Sequence, residues 1–88
     1  MTWVVKVSSA AEKHYNRLDK KARGKIKKKL LDFSEFKNPL SHKDVKALTG
    51  DLDGFYRLRI GEFRVVFSII SDRRTIAVVN IAPRGSVY

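Results

Sequence analysis

Residues 55–70 carry the sequence FYRLRIGEFRVVFSII, which has the clearest secondary-structure pattern in the chain. Apolar side chains alternate with Arg57 and Arg59 in its first part, which is the period of a half-buried β-strand with arginines on one face. Gly61-Glu62 is a two-residue connection with glycine first, the pattern of a type II′ hairpin. The stretch therefore predicts a tight antiparallel hairpin whose second strand is Phe63–Ile70.

A two-residue connection also fixes which residues face one another across the hairpin. In that register Arg59 lies opposite Arg64, and Arg57 lies opposite Val66. Like charges that are directly opposed raise the free energy of the fold unless an anion lies between them. We therefore expect the arginines of this hairpin to bind an anionic ligand.

The residues before the hairpin predict one strand and two helices. Trp3–Val7 is rich in β-branched and aromatic residues, as strands are, and it stops at Ser8-Ser9, which suits a helix N-cap. Apolar residues then recur at spacings of four and three up to Leu18, which indicates a short amphipathic helix. Asp19 caps a second helix, whose apolar stripe continues to about Phe36. The two helices are expected to form an antiparallel hairpin with a basic outer face.

Loops and one further strand complete the prediction. Asn38-Pro39 ends the second helix, and a polar loop leads to Val45–Leu48. After the β-hairpin, Ser71–Arg74 is a turn and Thr75–Ala82 a further strand. We therefore predict an α+β fold of order βααβββ, a mostly antiparallel sheet with the helical hairpin packed on one face, in a single domain over residues 1–88.

Composition indicates a folded protein with a polyanionic partner. The chain has 19 Lys and Arg against nine Asp and Glu, a net charge of +10, and its hydrophobic content of 43% argues against a basic disordered tail. Without cysteine there is no disulfide framework or thiolate metal site, and two histidines are too few for a structural zinc site. The sequence also lacks a membrane span and a signal peptide, so we expect a cytoplasmic protein without metal or cofactor.

The two kinds of cation are separated along the chain. Eleven of the thirteen cations before residue 51 are lysine, whereas all six after it are arginine. Lysine is a hydrated point charge suited to diffuse attraction, while arginine offers a fork of donors that matches phosphate oxygens. We therefore predict that lysines steer a polyanion onto the protein. The lysines predicted to bind it are Lys20, Lys21, Lys25, Lys27, Lys28, Lys29 and Lys46.

Two segments also resemble a known family. Residues 46–67 read KALTGDLDGFYRLRIGEFRVVF, and residues 83–88 read PRGSVY. They resemble the RelE toxins of the RelE/ParE superfamily, and the resemblance spans nearly the whole chain. It implies a RelE-like fold and a toxin of a type II toxin–antitoxin system that enters the ribosomal decoding site and cleaves messenger RNA there. It also implies a RelB-like antitoxin that wraps around the toxin and silences it. For the seven lysines predicted to bind a polyanion, it implies RNA or the ribosome, with ribosomal RNA as the partner.

The resemblance further implies a mechanism and its residues. The ribose 2′-hydroxyl attacks the adjacent phosphate and leaves a 2′,3′-cyclic phosphate and a free 5′-hydroxyl, without a metal or a water nucleophile. The family pattern maps onto Arg57, Arg59, Arg64, Arg84 and Tyr88. Arg64 would hold the phosphate, Arg84 would stabilise the transition state and assist the leaving oxygen, and Tyr88 would stack on or deprotonate the nucleotide. Some relatives carry lysine at the positions of Arg57 and Arg59. Arginine stays protonated, so here these two residues would stabilise charge rather than accept a proton.

Other functions stay open on the sequence alone. A ParE-like inhibitor of DNA gyrase would use the same fold without needing the arginine and tyrosine cluster, and a catalytically inactive relative would only bind RNA or antitoxin. His14 and His42 suggest a two-histidine ribonuclease, but neither belongs to the motif. The ribosome-dependent endoribonuclease is therefore the leading hypothesis.

Overall fold

The computed structural model describes residues 3–83, which form two helices and a five-stranded sheet. The elements are β1 (Val4–Val7), α1 (Ser9–Arg17), α2 (Lys20–Ser34), β2 (Val45–Ala47), β3 (Tyr56–Ile60), β4 (Phe63–Ile70) and β5 (Thr75–Pro83). Short 3-10 turns occupy Pro39–Ser41, Gly50–Leu52 and Ser71–Arg73. The strand order across the sheet is β1-β5-β4-β3-β2, and β1 pairs with β5 in parallel while the other pairings are antiparallel.

This architecture confirms the predicted α+β class and adds one strand to the predicted order. The additional strand is β2, which pairs with β3 so that Val45 lies opposite Leu58. Three residues are too few to show an alternating pattern, so the sequence does not reveal this strand. Helix α2 also ends earlier than expected, at Ser34. The N–H groups of Glu35 and Phe36 bond to carbonyls three residues back, which tightens the chain out of the α-helix.

Side-chain caps start both helices at the predicted residues. Ser8 Oγ accepts a hydrogen bond from the Ala11 N–H at 3.1 Å, and Asp19 Oδ1 accepts one from the Ala22 N–H at 2.8 Å. Each cap satisfies a backbone donor that has no partner within its helix, a contribution of about 1 kcal/mol. Ser8 also donates to the carbonyl of Val79 at 3.2 Å, which ties the start of α1 to β5.

Both helices pack on the same face of the sheet. Helix α1 buries Ala11 there, and α2 buries Ile26, Leu30 and Phe33. The sheet contributes core residues from its three central strands, namely Leu58, Ile60, Val65, Phe67, Ile76, Val78 and Ile81. These residues alternate along β3 and β4, whereas an irregularity at Val79 shifts the alternation in β5. The intervening residues of β3 and β4 therefore lie on the opposite face. Within residues 3–83, neither helix combines the length and apolar composition needed to cross a membrane.

The β3–β4 hairpin has the predicted register. Arg59 lies opposite Arg64, and Arg57 lies opposite Val66. Gly61 adopts a φ of 56°, whereas Glu62 keeps a negative φ, as expected for a two-residue turn with glycine first. The turn thus fixes which side of the sheet carries the arginines.

Replacing Gly61 with alanine is expected to destabilise the fold by about 1–2 kcal/mol, because a Cβ is disfavoured at positive φ. The added methyl group would also lie 3.2 Å from Lys25 Nζ. Gly24 in α2 is the matched control, since beyond its chain neighbours and the backbone of its own helix no atom lies within 4 Å of a Cβ there. Gly24→Ala should stabilise the helix by about 1 kcal/mol. Urea denaturation measures both changes, and shifts of the same sign would contradict this account of Gly61.

Candidate nucleic-acid interface

Four cationic side chains share the face of the sheet opposite the helices. Lys46 of β2 lies opposite Arg57 of β3, and Arg59 of β3 lies opposite Arg64 of β4. Residues directly opposite one another in a sheet project to the same side, and the arginines of β3 alternate with the buried Leu58. We call Lys46, Arg57, Arg59 and Arg64 the cationic face.

Arg59 is held by Asp44, the residue directly before β2. Arg59 Nη2 donates to Asp44 Oδ1 at 3.1 Å, and the Arg59 backbone N–H donates to the Asp44 carbonyl at 3.0 Å. The other carboxylate oxygen accepts a hydrogen bond from Lys29 Nζ at 3.3 Å, so Asp44 connects α2 to β3. The Asp44 side chain is only 11% exposed, whereas that of Arg59 is 56% exposed. Asp44 is therefore a largely buried anion that two cations share.

The surroundings of Asp44 also set its protonation state. Burial by itself would raise the pKa of this carboxyl group, but the hydrogen bonds and charges of Arg59 and Lys29 outweigh burial and hold the pKa below its ordinary value. Asp44 is therefore ionised at neutral pH. The stability that its charge contributes is present above the unfolded-state pKa and is lost as pH falls through the lower folded-state pKa.

Arg64 is held by the hairpin turn instead. Its Nη1 donates to the carbonyl of Gly61 at 3.0 Å and to that of Phe63 at 2.9 Å. From the sequence, an anion is expected between Arg59 and Arg64. In the structure each of the two guanidinium groups already has an acceptor inside the fold. The repulsion between them is thus reduced before any ligand binds.

Arg57 is the arginine of the cationic face without such an acceptor. Within residues 3–83 its half-buried side chain makes no hydrogen bond and no ion pair. Its neighbour on one side is the exposed Lys46, and its neighbour on the other is the buried Val66. The donors of the Arg57 guanidinium fork are therefore available to a bidentate acceptor such as a phosphate.

The predicted RNA-binding lysines of α2 lie in different surroundings. A cavity of about 520 Å³ borders α2 and the end of β3, and we call it the basic cavity. Its charged lining residues are Lys25, Lys28, Lys29, Asp32, Lys43, Asp44 and Arg59. Lys20 and Lys21 are exposed in the first turn of α2, and Lys27 lines a separate groove. The basic cavity thus collects three of these lysines beside Arg59.

The separate groove is apolar and has a volume of about 240 Å³. It is lined by Val5, Val7, Tyr15, Leu30, Leu31 and Ile81, together with Glu12 and Lys27. Val7 and Leu31 are hydrophobic side chains that are 42% and 58% exposed. Exposed apolar surface with charged neighbours is typical of a protein–protein interface.

Three further residues complete the comparison between the predicted site and the structure. Arg84 and Tyr88 lie outside the described residues, so their roles stay predictions. Asp44 is not among the predicted site residues, although it contacts Arg59. A signal for it is present in the sequence, because it is a single acid among the cations Lys43 and Lys46.

The two histidines contact different parts of the fold. The ring centroid of His42 lies 5.5 Å from that of Phe33 and 4.6 Å from that of Phe36. His42 Nδ1 accepts a hydrogen bond from the Asp44 N–H at 3.0 Å, so the neutral ring carries its proton on Nε2. His14 Nδ1 instead lies 2.9 Å from Asn80 Oδ1. These separate contacts do not support a two-histidine ribonuclease.

His42 is expected to make stability depend on pH. Burial is the largest cause that lowers the pKa of His42, and Lys29 and Lys43 lower it further, whereas Asp44 opposes them. The unfolded chain therefore binds this proton more readily, so the stability is fully present above about pH 6.5 and is lost as pH falls below it. His42→Gln keeps an acceptor for the Asp44 N–H without titrating. Urea denaturation between pH 8 and pH 5 should show a smaller loss in this variant than in wild type, and equal losses would contradict the assignment.

Comparisons with known proteins place this fold in a family. A family model described as the ParE toxin of type II toxin–antitoxin system, parDE, matches residues 5–88. The chain belongs to the RelE/ParE toxin family. It is therefore a toxin of a type II toxin–antitoxin system, as the resemblance of residues 46–67 and 83–88 implies.

Solved structures share the RelE/ParE fold along nearly the whole chain. A chain of the archaeal RelE–RelB complex from Pyrococcus horikoshii OT3 is 27% identical, with a TM-score of 0.78 over 98% of this chain and 99% of that one. A chain of the RelBE2 toxin–antitoxin complex from Mycobacterium tuberculosis is 18% identical, with a TM-score of 0.73 over 96% and 100%. The YoeB/ParE toxin from Agrobacterium tumefaciens is 19% identical, with a TM-score of 0.74 over 92% and 98%. A comparison with curated protein sequences gave no match.

Proposed function

We propose that this RelE/ParE toxin is a ribosome-dependent endoribonuclease that cleaves messenger RNA in the decoding site and so inhibits translation. The supporting observation is the cationic face, where pairing of β3 with β4 brings Arg57, Arg59 and Arg64 to one side of the sheet. Cleavage by 2′-hydroxyl attack requires several positive charges around one phosphate, and adjacent strands hold them at a fixed spacing. The 27% identity to a chain of the Pyrococcus RelE–RelB complex favours this branch of the family.

In the proposed reaction the 2′-oxygen forms a bond to phosphorus, and the bond from phosphorus to the 5′-oxygen breaks. The proton of the 2′-hydroxyl passes to a base, and the leaving 5′-oxygen gains a proton. Negative charge increases on the phosphate oxygens in the transition state, so Arg57, Arg59 and Arg64 stabilise that state more than the ground state. Arginine stays protonated and cannot be the base. We assign proton transfer to Tyr88 and assistance of the leaving oxygen to Arg84. No metal or other cofactor is needed for these steps.

Ribosomal RNA is the proposed partner of the lysines. Lys46 continues the cationic face, and the lysines of α2 add positive charge at the basic cavity and along the exposed surface of the helix. Diffuse positive charge attracts a polyanion from a distance and speeds its association, while the arginines supply the directed contacts. Binding to the ribosome should therefore weaken as salt concentration rises. A protein that acts on translating ribosomes works in the cytoplasm.

A RelB-like antitoxin is the second proposed partner, and the apolar groove is the surface we assign to it. Val7, Leu31 and the other apolar residues that line the groove could be covered by apolar side chains of an antitoxin segment. The net charge of +10 favours a segment that also carries acidic residues. The solved complexes from Pyrococcus horikoshii and Mycobacterium tuberculosis pair a toxin of this fold with an antitoxin.

Inhibition of DNA gyrase is the second candidate function. The observation that favours it is the family model, whose description names the ParE toxin. Such an inhibitor acts by binding a protein and needs no set of charges around a phosphate. A toxin fold without either activity, which binds only RNA or antitoxin, is the third candidate.

Mapping of RNA ends on translating ribosomes tests these candidates. Purified wild-type protein should produce cuts within the codon in the decoding site, and Arg64→Ala should lose them. Arg64→Ala suits this test because its fold is expected to persist. Among the described residues, the Arg64 side chain bonds only to carbonyls of its own hairpin. Uncut message together with blocked DNA supercoiling by gyrase would instead support the ParE-like function. No effect in either assay would support the inactive relative.

A further inference from the structure

The Asp44 carboxylate is bound by two cationic side chains, those of Arg59 and Lys29. Its Oδ1 lies 3.1 Å from Arg59 Nη2, which is the distance of a charge-assisted hydrogen bond. Its Oδ2 accepts from Lys29 Nζ at 3.3 Å. A carboxylate that is bound by a guanidinium and an ammonium group has the contacts of a bound anion. The difference is that this anion belongs to the chain itself.

The contact with Asp44 draws Arg59 toward the basic cavity. Arg59 starts from the cationic face, since its backbone lies opposite Arg64 and between the buried Leu58 and Ile60. Its side chain nevertheless lines the basic cavity together with Lys25, Lys28 and Lys29 of α2, which packs on the other side of the sheet. Arg59 therefore lies at the border between the two surfaces, and Asp44 fixes it there.

We propose that Asp44 is a positioning residue. In the free protein its carboxylate binds Arg59, and when RNA binds, Arg59 leaves this carboxylate and bonds to an RNA phosphate instead. This inference rests on the proposed binding of RNA to the cationic face. The Arg59 side chain is more than half exposed, so it can leave the carboxylate without disrupting the core. Lys29 remains beside Asp44 after that change and keeps the carboxylate from becoming an unpaired buried charge. Asp44 thus weakens binding of RNA by competing for one guanidinium group.

Asp44→Asn tests this directly, and Asp32→Asn is its matched control. Both substitutions remove one negative charge from the lining of the basic cavity, but within residues 3–83 Asp32 makes no side-chain ion pair. The probe is a fluorescent single-stranded oligoribonucleotide with 2′-O-methyl groups, which cannot be cleaved by 2′-hydroxyl attack. We expect Asp44→Asn to bind it about three- to tenfold more tightly than Asp32→Asn does. The slope of log affinity against log salt should be steeper by about 0.7, the value for one more phosphate contact on a single strand.

Two further variants separate positioning from structural support. Asp44→Glu keeps the charge and should bind with an affinity near that of wild type. In an Arg59→Gln background, Asp44→Asn should no longer tighten binding, whereas in a Lys29→Met background it should still do so. A substitution that only loosened packing would leave the salt slope unchanged, and its effect would be the same with or without Arg59.

The outcomes distinguish this inference from the proposed function. Equal affinities and equal salt slopes of Asp44→Asn and Asp32→Asn would overturn it, as would a gain that persists without Arg59 or the absence of RNA binding in every variant. Lack of cleavage on ribosomes would instead contradict the endoribonuclease while leaving these affinities unaffected. The affinity and salt-slope measurements alone therefore test the positioning role of Asp44.

Discussion

Replacing Arg57 with alanine is expected to lower ribosome-dependent cleavage of messenger RNA by about 10²- to 10³-fold, the range for loss of one preorganised donor to transition-state charge. Arg57 is the arginine of the cationic face whose guanidinium has no acceptor within residues 3–83. It therefore needs no internal contact to be broken before it binds a phosphate, whereas Arg59 and Arg64 do. Single-turnover cleavage on stalled ribosomes measures the change in rate.

Two control variants make the test of Arg57 specific. Arg73→Ala removes the same charge from an exposed 3-10 turn between β4 and β5, and it should leave the rate within a few-fold of wild type. Arg57→Lys keeps the charge but removes the fork of donors, so its rate should lie between those of wild type and Arg57→Ala. Equal losses for Arg57→Ala and Arg73→Ala would show that net charge matters and the position of Arg57 does not.

Replacing Phe33 with alanine is expected to cost about 3–5 kcal/mol of stability, which is the usual range for truncating a buried phenylalanine. Phe33 of α2 is 1% exposed, and its ring makes edge contacts with Phe67 of the sheet at 5.3 Å and with His42 at 5.5 Å between centroids. A small domain has a free energy of unfolding of about 5–15 kcal/mol, so this loss would leave much of the protein close to unfolding. Urea denaturation followed by circular dichroism measures it.

Phe36 is the matched control for Phe33. It is 40% exposed and lies just beyond the end of α2, although its ring also contacts Phe33 and His42. Phe36→Ala should therefore cost only about 1 kcal/mol, because less apolar surface returns to water. A similar loss in both variants would mean that the aromatic cluster, and not the burial of Phe33, determines the effect.

The hairpin could be predicted from the sequence because two local signals agree there. The alternation around Arg57 and Arg59 fixes the faces of β3, and the glycine-first connection fixes the register with β4. Strand β2 could not be predicted in the same way. Val45–Ala47 is too short for a pattern, and it becomes a strand through its pairing with Tyr56–Leu58. Its existence therefore depends on a contact between distant residues.

The same distinction applies to the site. The placement of Arg57, Arg59 and Arg64 on one face follows from the alternation of side chains along a strand together with the hairpin register, and the structure has this register. The alternation of side chains does not predict the acceptors of Arg59 and Arg64. Asp44 reaches Arg59 only because β2 lies beside β3, and the carbonyl of Gly61 accepts from Arg64 only in the folded turn. Helical periodicity likewise does not show that Lys27 lines an apolar groove while Lys29 pairs with Asp44.

The parallel pairing of the first strand with the last described one has a consequence for synthesis of the protein. Val4–Val7 aligns with Thr75–Val78, so strands from the two ends of the described chain complete the sheet together. Contacts of such high contact order form slowly and only after the intervening chain is available. A nascent chain that stops before β5 has no partner for β1 and none for the outer edge of β4. The toxin is thus expected to reach its native state only after Thr75–Pro83 has left the ribosome that makes it.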